Sequence, residues 1–450
     1  MVRRYHIDLY ATAAKMRLLQ RKTQETIQDR KSRDAEALPL AERLLPQRIA
    51  SRFTFPFKDN LSSYLGEHNP LAETADPAKD TVWLFDNTAY RPVHFYPHAP
   101  QPWQAEFVAA YFVKDSGKDV SKWVADIADK IGLGKKGEDR EEGEKVIAQR
   151  LTLFAQTIQP ARSVNVKFPD AGMRKLGPGS RNAISSQIVG VEGSFKNGDS
   201  VGIGAVPREV APYGEMITRF AEPEGWAVIS GYYTQVNKRL QATLLTYHSD
   251  IDDSIKITLT PSPLGLLSST FVSTPTPISG MPELYAHIHK LLSPTWFYLS
   301  ASPYNLYPFL RTFLHAHYPP GTLILRDASF QNLSFSGFLL ASLTQGTEQY
   351  KNSRVEKIHT WLPRRKVLCV GDSTQSDPEV YGDMWRRFGS AWIRKIFIRK
   401  VVGVAGMEEG GEKNGEGRFE KAFRGVPREV WRVFEDPAEL EGEVEALVGM

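Results

Sequence analysis

The chain has 450 residues, of which 41% are hydrophobic, and carries a formal net charge of +4. This length and composition allow two or three domains with buried cores, and the charge is too small to indicate a nucleic-acid-binding protein. A single cysteine, Cys369, excludes an internal disulfide and a Cys-based zinc site and suits a reducing compartment. Because no apolar run reaches about 18 residues, we expect no transmembrane helix.

The first part of the chain is basic and lacks the sustained apolar core of a secretory signal. Its first 34 residues hold nine Lys or Arg and four acids, an excess of five positive charges. Four apolar residues recur at helical spacing: Leu9, Ala13, Met16 and Leu19. Such a helix can lie on an anionic membrane, act as a mitochondrial targeting helix or remain solvated. We assign residues 1–78 to a basic, helical or partly disordered N-terminal segment.

Residues 79–238 contain short β-branched or aromatic runs separated by turn signals. The strand candidates are TVWLFDNTAY, AEFVAAYFV, LTLFAQTIQ, SVNVKF, SSQIVGVEGSF and GWAVISGYYTQV. Helical patterns are sparser, and KWVADIADKI is the clearest of them. This part is predicted to be a mainly β domain, sandwich-like, with a helical insertion.

From residue 239 to residue 405 apolar strand candidates alternate with helical segments. In chain order they are ATLLTY, MPELYAHIHKLL, WFYLS, YNLYPFLRTFLHAH, TLILRD, KNSRVEKIHTWL, KVLCVGD, DPEVYGDMWRRF and WIRKIFIRKVV. This alternation predicts an α/β fold with a doubly wound parallel sheet. A Gly/Glu-rich stretch at 406–417 then predicts a mobile linker, and residues 418–450 are predicted to be a C-terminal helical segment.

Three carboxylates crowd into four positions directly after the strand candidate ATLLTY: Asp250, Asp252 and Asp253 in SDIDDSIK. An Asp-rich stretch is often only a turn. In open α/β sheets, however, ligands bind just outside the carboxyl ends of the strands, and a hard cation such as Mg²⁺ relieves the repulsion between carboxylates placed there.

Further polar residues stand at or near the ends of other predicted elements. Ser300 follows the strand candidate WFYL, Lys351 opens a predicted helix, and Asp372 and Asp377 lie in GDSTQSD after a strand. In one doubly wound sheet these residues converge at a single edge.

Taken in order, the DxDx[TS] pattern, the strand-terminal serine, the helix-opening lysine and GDSxxxD resemble the four motifs of the haloacid dehalogenase superfamily. The phrases SGMPELY, YLSASPYNLYPFL and VGDSTQSDPEVY narrow the likeness to the Mg²⁺-dependent phosphatidate phosphatases of fungal actin patches and their bacterial relatives. The resemblance is strong over residues 225–405 and weak in the C-terminal segment. Ser254 stands where relatives mostly have Thr, and the hydroxyl is retained.

The resemblance implies that Asp250 attacks phosphorus and that Asp252 serves as the general acid and base. Two residues along a strand return a side chain to the same face, and a carboxylate nucleophile divides phosphomonoester hydrolysis into two steps. The implied Mg²⁺ ligands are Asp250, the backbone carbonyl of Asp252, Asp372 and Asp377.

The same resemblance implies that Ser300 and Lys351 bind the transferring phosphoryl oxygens, with Ser302 as the fallback for Ser300. Lys351 is preferred to Lys357 because its 20-residue interval to Gly371 matches the family spacing and Lys357 falls on another face of the helix.

The function implied is Mg²⁺-dependent hydrolysis of phosphatidate to diacylglycerol and phosphate by a cytoplasmic, peripheral membrane enzyme. Expected partners are the phospholipid, an anionic membrane surface and actin-patch or endocytic proteins, with no nucleic acid. Two alternatives are a phosphatase of the same mechanism that acts on a soluble phosphomonoester, and a non-catalytic membrane or cytoskeletal adaptor.

Two pairs of histidines and the cysteine, residue types that can bind metals, are interpreted as structural residues. The pairs His287/His289 and His315/His317 fall in predicted helices, where residues two apart point in different directions and do not chelate one ion. Cys369 is predicted to be a buried strand residue.

Overall fold

The computed structural model describes the greater part of the chain beyond residue 72. The described residues are 73–92, 102–114, 119–130, 138–156, 162–168, 172–176, 184–232, 276–326, 347–402, 407 and 409–450. The basic N-terminal segment, apart from its last residues, and the SDIDDSIK motif lie outside these ranges.

The first part of the described chain is rich in β structure. Its strands are β1 Glu73–Thr74, β2 Asp80–Leu84, β3 Asn87–Tyr90, β4 Trp103–Val113, β5 Arg162–Phe168, β6 Gly172–Leu176, β7 Ile184–Val191, β8 Ser200–Val206 and β9 Met216–Ala221. These strands form one nine-stranded mixed sheet with the order β1-β5-β8-β9-β3-β4-β2, in which β6 also pairs with β5 and β7 with β4.

Two helices, α1 Ser121–Lys130 and α2 Glu138–Ala155, are inserted between β4 and β5. The insertion and the helix at KWVADIADKI are thus confirmed. The predicted strand LTLFAQTIQ is wrong, because Leu151–Ala155 form the last turns of α2 and Leu151 is buried in the core. A short apolar run fits a buried helix face as well as it fits a strand.

The second part of the described chain is α/β. Its elements are β10 Trp226–Tyr232, α3 Met281–Leu292, β11 Thr295–Pro303, α4 Tyr307–His317, β12 Gly321–Arg326, α5 Thr347–Trp361, β13 Lys366–Asp372, α6 Asp377–Phe388, β14 Ile393–Arg399, α7 Glu416–Ala422, β15 Trp431–Phe434 and α8 Glu441–Ala446. Six strands form an all-parallel sheet with the order β12-β11-β10-β13-β14-β15.

Two strands of the parallel sheet, β10 and β15, come from segments for which the sequence predicted a different role. The run GWAVISGYYTQV was assigned to the β domain, but β10 is a central strand of the parallel sheet and pairs with β11 and β13. The segment 418–450 was expected to be helical, but β15 joins the same sheet beside β14. Strand pairing depends on neighbours that are distant in sequence, so a short apolar run does not reveal the sheet to which it belongs.

Alternating residues of the parallel strands enter two hydrophobic cores. One core contains Val228 and residues of α3, α4 and α8, whereas the other contains Ile229 and residues of α5, α6 and α7. The first core also includes Trp83 and Phe112 of the nine-stranded sheet. The two parts of the described chain therefore share a core.

Buried polar contacts connect the same two parts. Arg311 of α4 donates to both carboxylate oxygens of Asp86 at 3.0 and 3.2 Å, and Lys357 of α5 forms an ion pair with Glu106 of β4. Removing one partner of such a pair leaves an uncompensated charge, so these contacts fix the packing of the two parts.

Candidate functional site

Three neighbouring strands of the parallel sheet end at one edge. Tyr232, at the end of β10, lies opposite Ser300 of β11, and Ser230 lies opposite Val370 of β13. Asp372 is the last residue of β13. Parallel strands present their carboxyl ends at the same edge, so Ser300 and Asp372 flank the end of β10.

A buried ion pair stands at this edge. Nζ of Lys351 contacts Oδ1 of Asp377, and both side chains are fully buried. The helix that carries the lysine begins at Thr347, so Lys351 lies in the second turn and does not open the helix as the sequence suggested. Asp377 is the first residue of α6.

Backbone contacts link the two aspartates. The backbone N–H of Asp372 donates to Oδ2 of Asp377 at 3.2 Å. The backbone N–H of Thr374 donates to Oδ1 of Asp372 at 2.7 Å, and the Thr374 hydroxyl contacts the same oxygen. Lys351, Asp372 and Asp377 therefore form one buried cluster, with two carboxylates and one ammonium.

The buried environment of this cluster disfavours the charged form of Asp377. Burial raises the pKa of Asp377 to about 6; the Lys351 ammonium opposes this shift, and the charge of Asp372 adds to it. A buried carboxylate is costly unless a cation or hydrogen bonds compensate it. The site therefore favours a further positive charge near the two acids.

Two glycines make room for the Asp377 carboxylate. A Cβ built on Gly371 of β13 would lie 2.5 Å from Oδ2 of Asp377, and one built on Gly231 of β10 would lie 2.3 Å from the same oxygen. Carbon and oxygen cannot approach so closely, so any side chain at these positions forces Asp377 to move. Gly231 thus places the end of β10 directly against the acidic cluster.

The predicted phosphate-binding serine lies at the same edge. Ser300 is fully buried, and its Oγ accepts a hydrogen bond from the backbone N–H of Ser302 at 2.9 Å. Ser302 is also fully buried. This hydrogen bond lies where the pairing register of β11 with β12 shifts, between Leu299 and Pro303.

Lys351 and Lys357 point to different parts of the molecule. Lys351 contacts the acidic cluster, whereas Lys357 contacts Glu106 and lies 5.3 Å from the centroid of the Trp361 ring. Burial raises the pKa of Glu106, but the Lys357 ammonium, the Ser186 hydrogen bond and the Arg354 charge together hold that pKa below its usual value. The two lysines therefore lie on different faces of α5, as the sequence spacing predicts.

The predicted nucleophile and general acid, Asp250 and Asp252, lie outside the described residues, as does the strand candidate ATLLTY. The position between β11 and β13 in the parallel sheet is occupied by β10. Seventeen residues, 233–249, separate the end of β10 from Asp250. Within the described ranges, no group of three His, Cys, Asp or Glu residues could hold a metal ion.

Some residues at this edge have no counterpart in the predicted site. The Tyr285 hydroxyl, from the SGMPELY phrase, is 2.8 Å from Oγ of Ser230 near the end of β10. Arg418 contacts backbone carbonyls of the turn that follows Asp372. No local motif identifies Arg418, since it is 45 residues from Ser373 in sequence.

The comparisons with known proteins concern the same region. Residues 245–400 match the family model of the catalytic domain of phosphatidate phosphatase APP1. These residues are therefore similar to that catalytic domain. This match confirms the resemblance found in the sequence, and its range includes all six predicted site residues, but it begins after β10 ends.

One curated APP1 protein is similar to this chain. Phosphatidate phosphatase APP1 of Saccharomyces cerevisiae (strain ATCC 204508 / S288c) is 29% identical over 154 residues, which are 34% of this chain and 25% of the yeast protein. The chain thus matches about a quarter of the length of that APP1 protein.

The interpretation of the two His pairs and of Cys369 as structural residues agrees with the structure. The two His pairs lie in α3 and α4, where Nδ1 of His289 accepts a hydrogen bond from the Trp296 indole at 3.1 Å and His315 lies 3.4 Å from Asp86. Cys369 is fully buried in β13, and burial raises the pKa of its thiol. The helices of the described ranges include none long and apolar enough to cross a membrane.

Proposed function

We propose that the chain is a Mg²⁺-dependent phosphatidate phosphatase, a phosphoric monoester hydrolase that converts phosphatidate to diacylglycerol and phosphate. The observation that carries this proposal is the buried cluster of Lys351, Asp372 and Asp377 at the edge of the parallel sheet, within the range that matches the APP1 family. An ammonium beside two acids is the arrangement needed to hold a phosphoryl group and a cation together.

The proposed fold is the doubly wound sheet of the haloacid dehalogenase superfamily. Two facts support this assignment: the strand order runs outward in both directions from the β10/β13 pair, and helices lie in the cores on both faces. In such sheets ligands bind where the strand order reverses, which is the position of the acidic cluster.

The residues present fit a Mg²⁺ ion. Asp372 and Asp377 are hard oxygen donors, and both are buried. Burial, with the charge of Asp372 in addition, raises the pKa of Asp377, and a nearby cation would stabilise its ionised form. Asp250 and the backbone carbonyl of Asp252 would complete the ligand set. When bound, the ion would screen the attacking carboxylate from the anionic phosphate.

The proposed reaction proceeds in two steps on side chains of this chain. The Asp250 carboxylate attacks phosphorus, the bond to the glycerol oxygen breaks, and Asp252 gives its proton to the leaving diacylglycerol alkoxide. Asp252 then removes a proton from water, which attacks the aspartyl phosphate, releases phosphate and restores Asp250. Ser300 and Lys351 hold the phosphoryl oxygens in both steps and stabilise their charge.

We further propose that the enzyme is cytoplasmic and acts at a membrane surface, where its lipid substrate resides. The basic N-terminal segment supports this proposal, since each well-placed Lys or Arg contributes about 1 kcal/mol of attraction to an anionic surface. Cortical actin patches and their endocytic proteins are the proposed location and partners. If deletion of residues 1–34 left vesicle binding and turnover unchanged, this segment would have no docking role.

The test compares substrates for the full chain. Phosphate release is measured from phosphatidate in mixed detergent micelles and from glucose 6-phosphate, each with Mg²⁺ and with EDTA. We expect Mg²⁺-dependent release that is faster from phosphatidate. Faster release from the sugar phosphate would assign the same mechanism to a soluble phosphomonoester, and release from neither would support a non-catalytic adaptor.

A further inference from the structure

Arg418 lies in α7, outside the range that matches the APP1 family, and contacts the turn between the two site aspartates. Its Nε and Nη2 donate to the two carboxylate oxygens of Glu379 at 2.9 and 3.0 Å. Its Nη1 donates to the carbonyls of Ser373 and, at 2.8 Å, Lys413, and its Nη2 also donates to the carbonyl of Gln375.

All five N–H groups of Arg418 are used in these contacts. A guanidinium has five donors and no acceptor, so this side chain has no donor left for a substrate. The side chain is also mostly buried, with 17% of its surface exposed. Arg418 therefore acts on the turn and not on a ligand.

A second cation, Lys413, also contacts the turn. Nζ of Lys413 donates to the carbonyl of Thr374 at 2.6 Å. Three consecutive carbonyls, those of residues 373, 374 and 375, thus accept hydrogen bonds from Lys413 and Arg418. Buried backbone carbonyls need partners, and these carbonyls find them across the fold.

The segment that supplies these donors is itself anchored. The Asn414 side chain is 5% exposed, and its Nδ2 donates to the carbonyls of Val401 and Met407 at 2.8 and 2.9 Å. This stretch had been predicted to be a mobile Gly/Glu-rich linker. Its described residues instead pack against the loop that follows β14.

The turn lacks stabilising contacts from one of its own side chains. Gln375 is 1% exposed, and in the part of the chain that the structure describes neither polar atom of its amide has a hydrogen-bond partner. The conformation of the turn therefore depends more strongly on the hydrogen bonds from Arg418 to the neighbouring carbonyls. Arg418 also forms an ion pair with Glu379, in the first turn of α6, and so contacts the helix that begins with Asp377.

We infer that Arg418, assisted by Lys413, is a positioning residue that sets the separation of Asp372 and Asp377 and so the affinity of the site for a divalent cation. The inference rests on the proposed function in assigning Mg²⁺ to these acids. Residues that orient metal ligands change metal affinity by about 10–100-fold when mutated.

The test uses the full chain with Arg418→Lys, Lys413→Met and, as a matched control, Arg424→Gln, which changes an exposed arginine two residues after α7. Lysine at 418 keeps the charge beside Glu379 but cannot make five directed contacts. We measure Mg²⁺ binding by calorimetry, the Mg²⁺-induced shift in melting temperature, and amide hydrogen exchange of residues 373–376.

The expected result is at least about tenfold weaker Mg²⁺ binding in Arg418→Lys, a smaller loss in Lys413→Met and none in Arg424→Gln. Exchange of the turn amides should rise in the same order without Mg²⁺. Unchanged Mg²⁺ affinity and unchanged exchange in both variants would overturn the inference. If the unmodified chain binds no Mg²⁺, the proposed metal site fails, and the exchange data alone decide whether Arg418 holds the turn.

Discussion

The ends of β11 and β13 differ from the end of β10, although the three strands are neighbours in one sheet. The flanking strands carry Ser300 and Asp372, buried residues of the kind that phosphoryl transfer requires. The central strand has Gly231 at the same edge, against the carboxylate of Asp377. The central position of the site is thus the one that the described residues leave without an acid.

On the proposed mechanism, this difference identifies the route by which Asp250 reaches the site. Ser249 precedes Asp250 as Ser230 precedes Gly231, and the APP1 match begins only at residue 245. In sequence, residues 233–249 therefore separate a strand that ends at the site from the proposed nucleophile. The predictions below test whether Asp250 acts at the end of β10.

The most direct test of this placement is the deletion of residues 231–249, which joins Ser230 directly to Asp250. The carboxylate then takes the position of Gly231, beside Asp377, whose side chain must rotate to accommodate it. Phosphate release from phosphatidate with Mg²⁺ should at least equal that of the full chain and rise by up to about 100-fold, because misplacing a reacting group by about 1 Å costs about that factor.

The control for the deletion is the same chain with Asp250→Asn, which should be inactive. Circular dichroism and thermal melting establish that both proteins fold. A folded deletion variant that has lost activity would contradict the placement of Asp250 at the end of β10.

The next prediction distinguishes the roles of the two lysines of α5. Lys351→Met should lower kcat by about 10²–10³-fold, the usual loss when one donor to a developing phosphoryl or oxyanion charge is removed. Lys357→Met should leave kcat within about twofold, because Lys357 contacts Glu106 and not the acidic cluster. Steady-state kinetics on one soluble ester and on phosphatidate checks both, and equal losses of kcat would refute the division of roles.

A third effect is on stability. Lys357→Met should lower the free energy of unfolding by about 3–5 kcal/mol at pH 7, since it leaves Glu106 buried without its partner. The pKa of Glu106 lies below its usual 4.5, so the pair stabilises the fold above that pH and loses its effect as the pH falls through and below 4.5. Urea unfolding at several pH values should show the difference from wild type narrowing in acid.

The exposed pair Arg387–Glu356 provides the comparison for stability, with side chains 46% and 40% exposed. Arg387→Gln should change the free energy of unfolding by no more than about 1 kcal/mol, since exposed ion pairs contribute little. A pH-independent loss in Lys357→Met would show that packing of the lysine stem, and not its charge, holds α5 against β4.

Much of the α/β part could be predicted because its helices and strands alternate with clear periodicity. The segments MPELYAHIHKLL, KVLCVGD and DPEVYGDMWRRF coincide with α3, β13 and α6. The chemistry of GDSTQSD likewise follows from local sequence, and the structure brings its two aspartates together with Lys351.

The features that were missed depend on contacts between distant residues. The membership of Trp226–Tyr232 and Trp431–Phe434 in the parallel sheet is decided by their neighbouring strands, and five or so apolar residues fit either sheet. Arg418 contacts the site through backbone carbonyls, which every residue possesses, so no sequence pattern marks its targets.

The central claim is tested most directly by measuring phosphate release from phosphatidate micelles for the full chain and for Asp250→Asn, with Mg²⁺ and with EDTA. The account predicts release that requires Mg²⁺ and is lost in the variant, with melting temperatures that differ little. Release that persists in folded Asp250→Asn, or that is unaffected by EDTA, would contradict the assignment of Asp250 as the nucleophile of a Mg²⁺-dependent phosphatase.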